Sequence, residues 1–192
     1  MRKLTIIEHI SLDGVIQHSV DEEFRYEGWF VPFMSPEGGA AVLAAQGEHF
    51  DLLLARRTYD EWSSSWGQAP SSPLADLFDA ATKYVVTHRR DDLAWGPAEA
   101  VGADVIASVR ALLAEAGPDL VVWGSSSLTS LLLEHGLVDE LTLITYPVLL
   151  GVGKRLFAPG TPALALEPVQ TTSTTTGVVI STYRVHGPVA AV

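Results

Sequence analysis

Three stretches of this chain place glycine, hydroxyls or arginines directly after an apolar run. The richest is Asp119-Leu-Val-Val-Trp-Gly-Ser-Ser-Ser127. Leu120 to Trp123 reads as a strand buried on both faces, and Gly124 with Ser125, Ser126 and Ser127 turns it into a helix. Leu128, Leu131 and Leu132 recur at helical spacing, and Gly136 stands where a left-handed C-cap residue belongs. Such a turn leaves free backbone N–H groups at the strand's carboxyl end, which with the helix dipole suit an anion, usually phosphate. The plainer alternative is that small residues only serve a tight turn. Leu54-Ala-Arg-Arg-Thr58 repeats the pattern with two cations capable of charge-assisted bonds to phosphate, and Val86-Thr-His-Arg-Arg90 repeats it again. One such loop would be ordinary basic surface. Three at strand ends of an acidic chain point to one ligand with several phosphates, because ligands of open α/β sheets gather outside the carboxyl ends of the strands.

Other chemistry is less specified. Asp13, in Ser11-Leu-Asp-Gly14, is the best-placed acid for proton transfer, although Asp-Gly is also an ordinary turn pair. Trp29, Phe30 and Phe33 are suited to wall a planar heterocycle or to pack on the core. Gly151-Val-Gly-Lys-Arg155 reads as a turn with an exposed basic pair. Ser126, Asp139 and His186 follow the chain order of a hydrolase triad, but a nucleophile elbow needs glycine where Leu128 stands, which makes this a minor alternative. His9 and His49 show no metal-ligand spacing and read as structural, so no metal is expected.

The elements that would position these groups alternate along the chain. Strands are expected at Leu4 to Ile10, Asp51 to Ala55, Lys83 to Thr87, Leu120 to Trp123, Leu141 to Tyr146, Ala163 to Val169 and Val178 to Val185. Ser35-Pro-Glu37 and Ser72-Pro73 open helices with an N-cap serine and a first-position proline, running to about Glu48 and Ala81. Thr58 and Glu61 have capping-box spacing and predict a short helix starting there. Val105, Ile106, Val109, Leu112 and Leu113 share one helical face, ended by Gly117-Pro118. The segment 17–35 is polar and aromatic without period and predicts a long loop of the kind that forms lids. The threonine-rich stretch 171–176 predicts the connection of a late hairpin. One α/β domain, residues 1–187 with a tail at 188–192, fits best, with a mixed, mainly parallel sheet.

Composition supports this. The chain has 192 residues, 47% hydrophobic and 18% charged, with a net charge of -11, which describes a globular domain and disfavours nucleic acid as a partner. It has no cysteine, hence no disulfide framework, no thiolate metal site and no thiol nucleophile. Charge early in the N-terminal run and the lack of any long apolar stretch predict a cytoplasmic protein with no membrane partner.

Taken in order, Ser11-Leu-Asp-Gly14, Leu53-Leu-Ala-Arg-Arg-Thr-Tyr59, Lys83-Tyr-Val-Val-Thr87, Leu120-Val-Val-Trp-Gly-Ser125, Gly136-Leu-Val-Asp-Glu-Leu141 and Pro147-Val-Leu-Leu-Gly-Val-Gly-Lys-Arg-Leu-Phe157 span most of the chain. Together they resemble the dihydrofolate-reductase-like proteins related to the C-terminal reductase domain of bacterial riboflavin-biosynthesis enzymes. The resemblance implies a three-layer α/β/α sandwich, NADPH as cofactor, a homodimer, and reduction of a small pterin- or pyrimidine-like substrate, as in 5-amino-6-(5-phosphoribosylamino)uracil reductase. A nucleotide-binding sensor without turnover is the alternative. By position, Arg56, Arg57 and Thr58 would hold adenosine-side phosphates, with Ala55 where the family has glycine. Thr87, His88 and Arg89 would surround the 2′-phosphate and adenine, with Thr-His replacing the family's Ser-Arg. Gly124, Ser125, Ser126 and Ser127 would face the pyrophosphate and nicotinamide, and Trp29 and Phe33 the substrate. Without cysteine the chain cannot supply the zinc ligands of the deaminase that partners such reductases. A homodimer is also expected from Leu141 to Leu150, which is more apolar than one covered sheet face requires.

Overall fold

The computed structural model describes residues 1–189 except Glu22, Arg90 and Ala158; Arg90 and the end of the expected tail, 190–192, lie outside the described residues. The strands are β1 (Leu4–Ser11), β2 (Phe50–Ala55), β3 (Lys83–Val86), β4 (Ala98–Val101), β5 (Asp119–Trp123), β6 (Glu140–Tyr146), β7 (Leu164–Ser173) and β8 (Val179–Pro188). The helices are α1 (Pro36–Gln46), α2 (Arg56–Ser65), α3 (Pro73–Ala80), α4 (Val105–Ala114) and α5 (Ser126–Glu134). All eight strands form one sheet in the order β4-β3-β2-β5-β1-β6-β8-β7. Neighbours from β4 to β6 are parallel, while β8 runs antiparallel to both β6 and β7.

Strand alternation divides the core between the two faces of the sheet. Leu52, Leu54, Val121 and Trp123 pack with Val42 of α1, Tyr59 of α2 and Phe78 of α3. Their sequence neighbours Leu53, Leu120 and Val122 point the other way, onto Val109 of α4 and Leu128 and Leu132 of α5. This is the mixed-sheet α/β fold expected from the sequence.

Under the amino ends of the strands lies a buried ion pair. Arg2 donates to Asp51 Oδ2 and to the Pro118 carbonyl, and Asp51 Oδ1 accepts the Thr82 N–H at 3.0 Å. Arg2 and Asp51 are 6% and 7% exposed, so each charge depends on the other.

Local signals held where the chemistry is local. The Ser35 and Ser72 side chains accept from Gly38 and Ala75 N–H as N-caps should. Elsewhere the structure departs from the sequence reading. α2 begins at Arg56 with Ala55 as an uncapped N-cap, so Thr58 lies inside the first turn and the expected capping box does not form. Strand β4, Ala-Glu-Ala-Val, went unpredicted. Thr171, Thr172 and Ser173 belong to β7, and the hairpin turns only at 174–177. Pro188, expected in the tail, ends β8. The apolarity of β6 is used within the chain: β6 lies between β1 and β8, and Leu141, Ile144 and Tyr146 are buried there. Further along the same stretch, Leu149 is 71% exposed.

Candidate functional site

The carboxyl ends of β1, β5 and β6 open into a cavity of about 340 Å³. Two helices start at its edge. α2 follows β2 and α5 follows β5 without an intervening loop of any length, and β2 and β5 are adjacent in the sheet. α1, α3 and α4 are capped by Ser35, Ser72 and Asp104, whereas α2 and α5 have no side-chain cap. Their first N–H groups thus remain for an anion at the cavity. Arg57 and Thr58 from α2, and Gly124, Ser125 and Ser126 from the β5–α5 turn, line it. Gly124 has φ +61° and its peptide bond to Ser125 is cis. A Cβ at Gly124 would meet Glu8 Oε2 at 3.4 Å and Thr58 Oγ1 at 4.0 Å, so glycine keeps the floor between β1 and α2 open.

The opposite wall is aromatic. His18, Phe30 and Phe33 from the 17–35 loop face Trp62 of α2, Trp123 of β5 and Tyr146 of β6. His9 of β1 stacks with Phe30 at 5.1 Å and its Nδ1 meets the Tyr146 hydroxyl at 2.7 Å. Burial, with His18 nearby, pushes the His9 pKa down to about 3. Burial lowers His18 to about 4 despite Glu61, and raises Tyr146 to about 12. At neutral pH both imidazoles and the phenol are uncharged. Glu8, beside them in β1, is fully enclosed, and burial raises its carboxyl to about 8 against backbone hydrogen bonds with Gly124 and His9.

Several expected residues meet here and others do not. Arg57, Thr58, Gly124, Ser125, Ser126 and Phe33 line the cavity. Arg57 is also tied to Glu61 at 2.9 Å and to Ser19 Oγ at 2.7 Å. Arg56, Thr87 and Arg89 form a cluster next to the cavity. Arg56 donates to Asp60 at 2.8 Å and to the Arg89 and Asp91 carbonyls at 3.4 and 3.2 Å, and Thr87 Oγ1 accepts the Arg89 N–H. His88 is exposed beside them. Ala55 has ordinary extended backbone, φ -67° and ψ 150°, and needs no glycine. Ser127 is exposed and pairs with Ser125 Oγ at 3.1 Å, outside the lining.

Three readings need correction. Asp13 is not in the cavity wall. Its carboxylate accepts from Ser11 Oγ at 2.7 Å, Leu150 N–H at 3.1 Å and Gly151 N–H at 2.8 Å, with Arg155 at 3.5 Å. Desolvation opposes its ionisation, but these hydrogen bonds outweigh it and hold the pKa near 2, so Asp13 cannot serve as an acid at neutral pH. It fastens the 147–157 segment to the first turn. Trp29 is buried behind the lining and gives its indole N–H to the Gln17 carbonyl at 2.8 Å. The triad does not assemble: Asp139 and His186 border a groove at the amino ends of the strands, and Asp139 accepts the Leu4 N–H, far from Ser126.

His9 was read as structural from its spacing, yet it lines the cavity, as do Glu8, His18 and Tyr146, which the sequence reading missed. A glutamate and a histidine inside the apolar run Leu-Thr-Ile-Ile-Glu-His-Ile were the available signal, since charged residues enter a central strand only when partnered or functional. Among the described residues, no group of three or more His, Cys, Asp and Glu could hold a metal, and no helix is long and apolar enough to cross a membrane.

Two uncapped helix starts thus meet an aromatic cavity at the carboxyl edge of the parallel strands. The RibD C-terminal domain family model matches residues 2–180, and the chain belongs to that family, which is of reductase type. It is 27% identical over 190 residues to the uncharacterized protein YyaP of Bacillus subtilis, covering 97% of this chain and 96% of that one. Among solved structures it resembles a putative riboflavin biosynthesis protein from Shewanella (TM-score 0.73, 18% identity, 95% and 98% of the two chains). It also resembles dihydrofolate reductase from Enterococcus faecalis complexed with NADP(H) (TM-score 0.61, 16% identity, 96% of each chain). At these identities the structural likenesses establish the dihydrofolate-reductase-like fold.

Proposed function

We propose that this chain is an NADPH-dependent reductase of a small planar heterocycle of pterin or pyrimidine type, acting in the cytoplasm. The observation that carries this is the meeting of two uncapped helix N-termini with an aromatic cavity at one edge of the sheet. The residues fit the cofactor: the first N–H groups of α2 and α5 and the Arg57 guanidinium suit its phosphates, and Gly124 leaves its floor free of a Cβ. NADPH would supply the hydride. The aromatic wall orients a flat ring and excludes water from it, and the neutral His9, His18 and Tyr146 offer hydrogen bonds without charge. Arg56 braces the carbonyls of Arg89 and Asp91, and Arg89 stands at the exposed side of the cluster.

The direct test is NADPH binding by calorimetry, followed by NADPH oxidation with dihydropterin and aminouracil probes. Binding without turnover across that set would favour a sensor, and no binding of NADPH or NADH at millimolar concentration would overturn the assignment. Arg56→Ala removes a cation and the brace of the Arg89 and Asp91 carbonyls together. It should weaken NADPH roughly ten- to a hundredfold and NADH much less, with the difference shrinking in salt. Equal losses for both cofactors would show that Arg56 serves the fold.

We also propose a homodimer. The surface for it is the exposed apolar set Leu12, Leu149, Val152 and Phe157 at the end of the Leu141 to Leu150 stretch, where Leu12 is tied to Val148 by a backbone hydrogen bond. A stable interface should bury at least roughly 1,000 Å². Sedimentation showing only monomer at micromolar concentration would remove this proposal.

A further inference from the structure

Reduction of a C=N or C=O bond needs a proton as well as a hydride, and Asp13 is not placed to give one. Glu8 is. Ile7 pairs with Trp123 in the β1–β5 register, which sets Glu8 alongside Gly124 at the start of the β5–α5 turn. Its side chain lines the cavity, and Oε2 is sealed from solvent with no hydrogen-bond partner. A buried oxygen left unpaired is costly, and a catalytic role is one of the few reasons a fold keeps one. A Cβ at Gly124 would stand 3.4 Å from this oxygen, so glycine keeps a side chain off the atom at the edge of the cavity.

We propose that Glu8 is the proton donor of the reduction, giving its Oε2 proton to the ring nitrogen or carbonyl oxygen of the bond whose carbon takes the hydride. This rests on the reductase reading above. In the step, the π bond of the substrate breaks, a C–H bond forms with hydride from NADPH, which becomes NADP⁺, and an N–H or O–H bond forms with the Glu8 proton. The carboxylate left behind is met by the backbone hydrogen bonds of Gly124 and His9. The other charged or titratable groups on the cavity are His9 from β1, His18 from the loop, Arg57 and Glu61 from α2, Tyr146 from β6, and Lys154. The two histidines are neutral at pH 7 and their remaining N–H is not acidic enough to give, Tyr146 is the weaker acid, and Arg57 is paired with Glu61. Burial keeps Glu8 in its acid form up to about pH 8, so the rate should fall as pH rises through that value.

Glu8 can be followed directly by NMR of the side-chain carbonyl in protein labelled with [¹³C]glutamate, the signal being assigned by its loss in Glu8→Gln. A midpoint near 8 is expected, and a midpoint below 5 overturns the proposal whatever the enzyme reduces. With 6,7-dimethyl-7,8-dihydropterin as probe, Glu8→Gln should lower kcat by roughly 10²–10⁴-fold and abolish the alkaline fall, with NADPH affinity within about threefold of wild type. Glu8→Asp keeps an acid and should retain the alkaline fall at reduced rate. Turnover by Glu8→Gln equal to wild type would refute the proton donor and leave the reductase standing. Loss of NADPH affinity in both variants would make Glu8 part of the cofactor floor instead. A wild type that neither binds nor oxidises NADPH would remove the reductase and the proton donor together.

Discussion

Asp51→Ala is expected to destabilise the protein by about 3–5 kcal/mol, because it strands the Arg2 guanidinium in a site that solvent does not reach. The loss has two parts. Arg2 loses its counter-charge, keeping only the Pro118 carbonyl and the ring of Tyr84, whose centroid lies 5.4 Å away. The Thr82 N–H at the entrance to β3 loses its acceptor as well. For a domain of this size the change corresponds to a fall in Tm of roughly 6–20 °C. Calorimetry on wild type and variant measures it. Replacing both partners by apolar residues, Arg2→Met with Asp51→Leu, should recover most of the loss, since the penalty lies in the unpaired charge rather than in the missing pair. A single variant within about 1 kcal/mol of wild type would show that water reaches Arg2 after all.

Gly153→Ala should be nearly as damaging, for steric reasons. Gly153 has φ +112°, which an alanine adopts only under strain. Its Cβ would also stand 2.7 Å from Val15 Cγ1 and 2.8 and 2.9 Å from the Phe24 ring, which no packed carbon tolerates. Strain and overpacking together should cost about 2–6 kcal/mol. The effect should reach the cavity. Phe24 is wholly buried and anchors the loop that carries His18 and Phe30, and the Lys154 N–H beside Gly153 donates to Gln17 Oε1 at 3.0 Å. Denaturant unfolding reads the stability, and NADPH binding reads the cavity. Phe24→Leu in the same chain should relieve the contacts with the ring but neither the 2.7 Å contact with Val15 nor the strain, so recovery should be partial. Full recovery in that double variant would mean that neither Val15 nor the backbone angle costs anything.

What the sequence revealed and what it hid follow from how far each feature reaches along the chain. Serine caps, the apolar runs of β2, β3 and β5, and the small residues at Gly124 to Ser126 act within a few positions, and they were legible. Arg57 and Thr58 were legible for the same reason, since they directly follow a strand. β4 was not, because Ala-Glu-Ala-Val owes its extended form to pairing with β3 rather than to β-branched side chains. Asp13 looked free for chemistry because its hydrogen-bond donors, Leu150 and Gly151, come from the far end of the chain. Glu8, His9 and Tyr146 became a cavity wall only because β1 lies between β5 and β6, an order that no local pattern records.

That central position of β1 also sets the timing of assembly. Its ladder partners are β5 and β6, which begin at Asp119 and Glu140. At ribosomal rates of 5–20 residues per second, roughly 7–27 seconds pass between the synthesis of the first strand and that of its second neighbour. Until β5 is made, Leu4, Ile6, Ile7 and Ile10 have no sheet to join, and one edge of the strand stays open to other chains until β6 follows. β2 and β3 can pair earlier and β5 joins them directly, but β6 and β8 are linked to them only once β1 is seated. The nascent chain therefore commits late, through contacts of long sequence separation, and β1 is the segment that a holdase chaperone has most reason to cover.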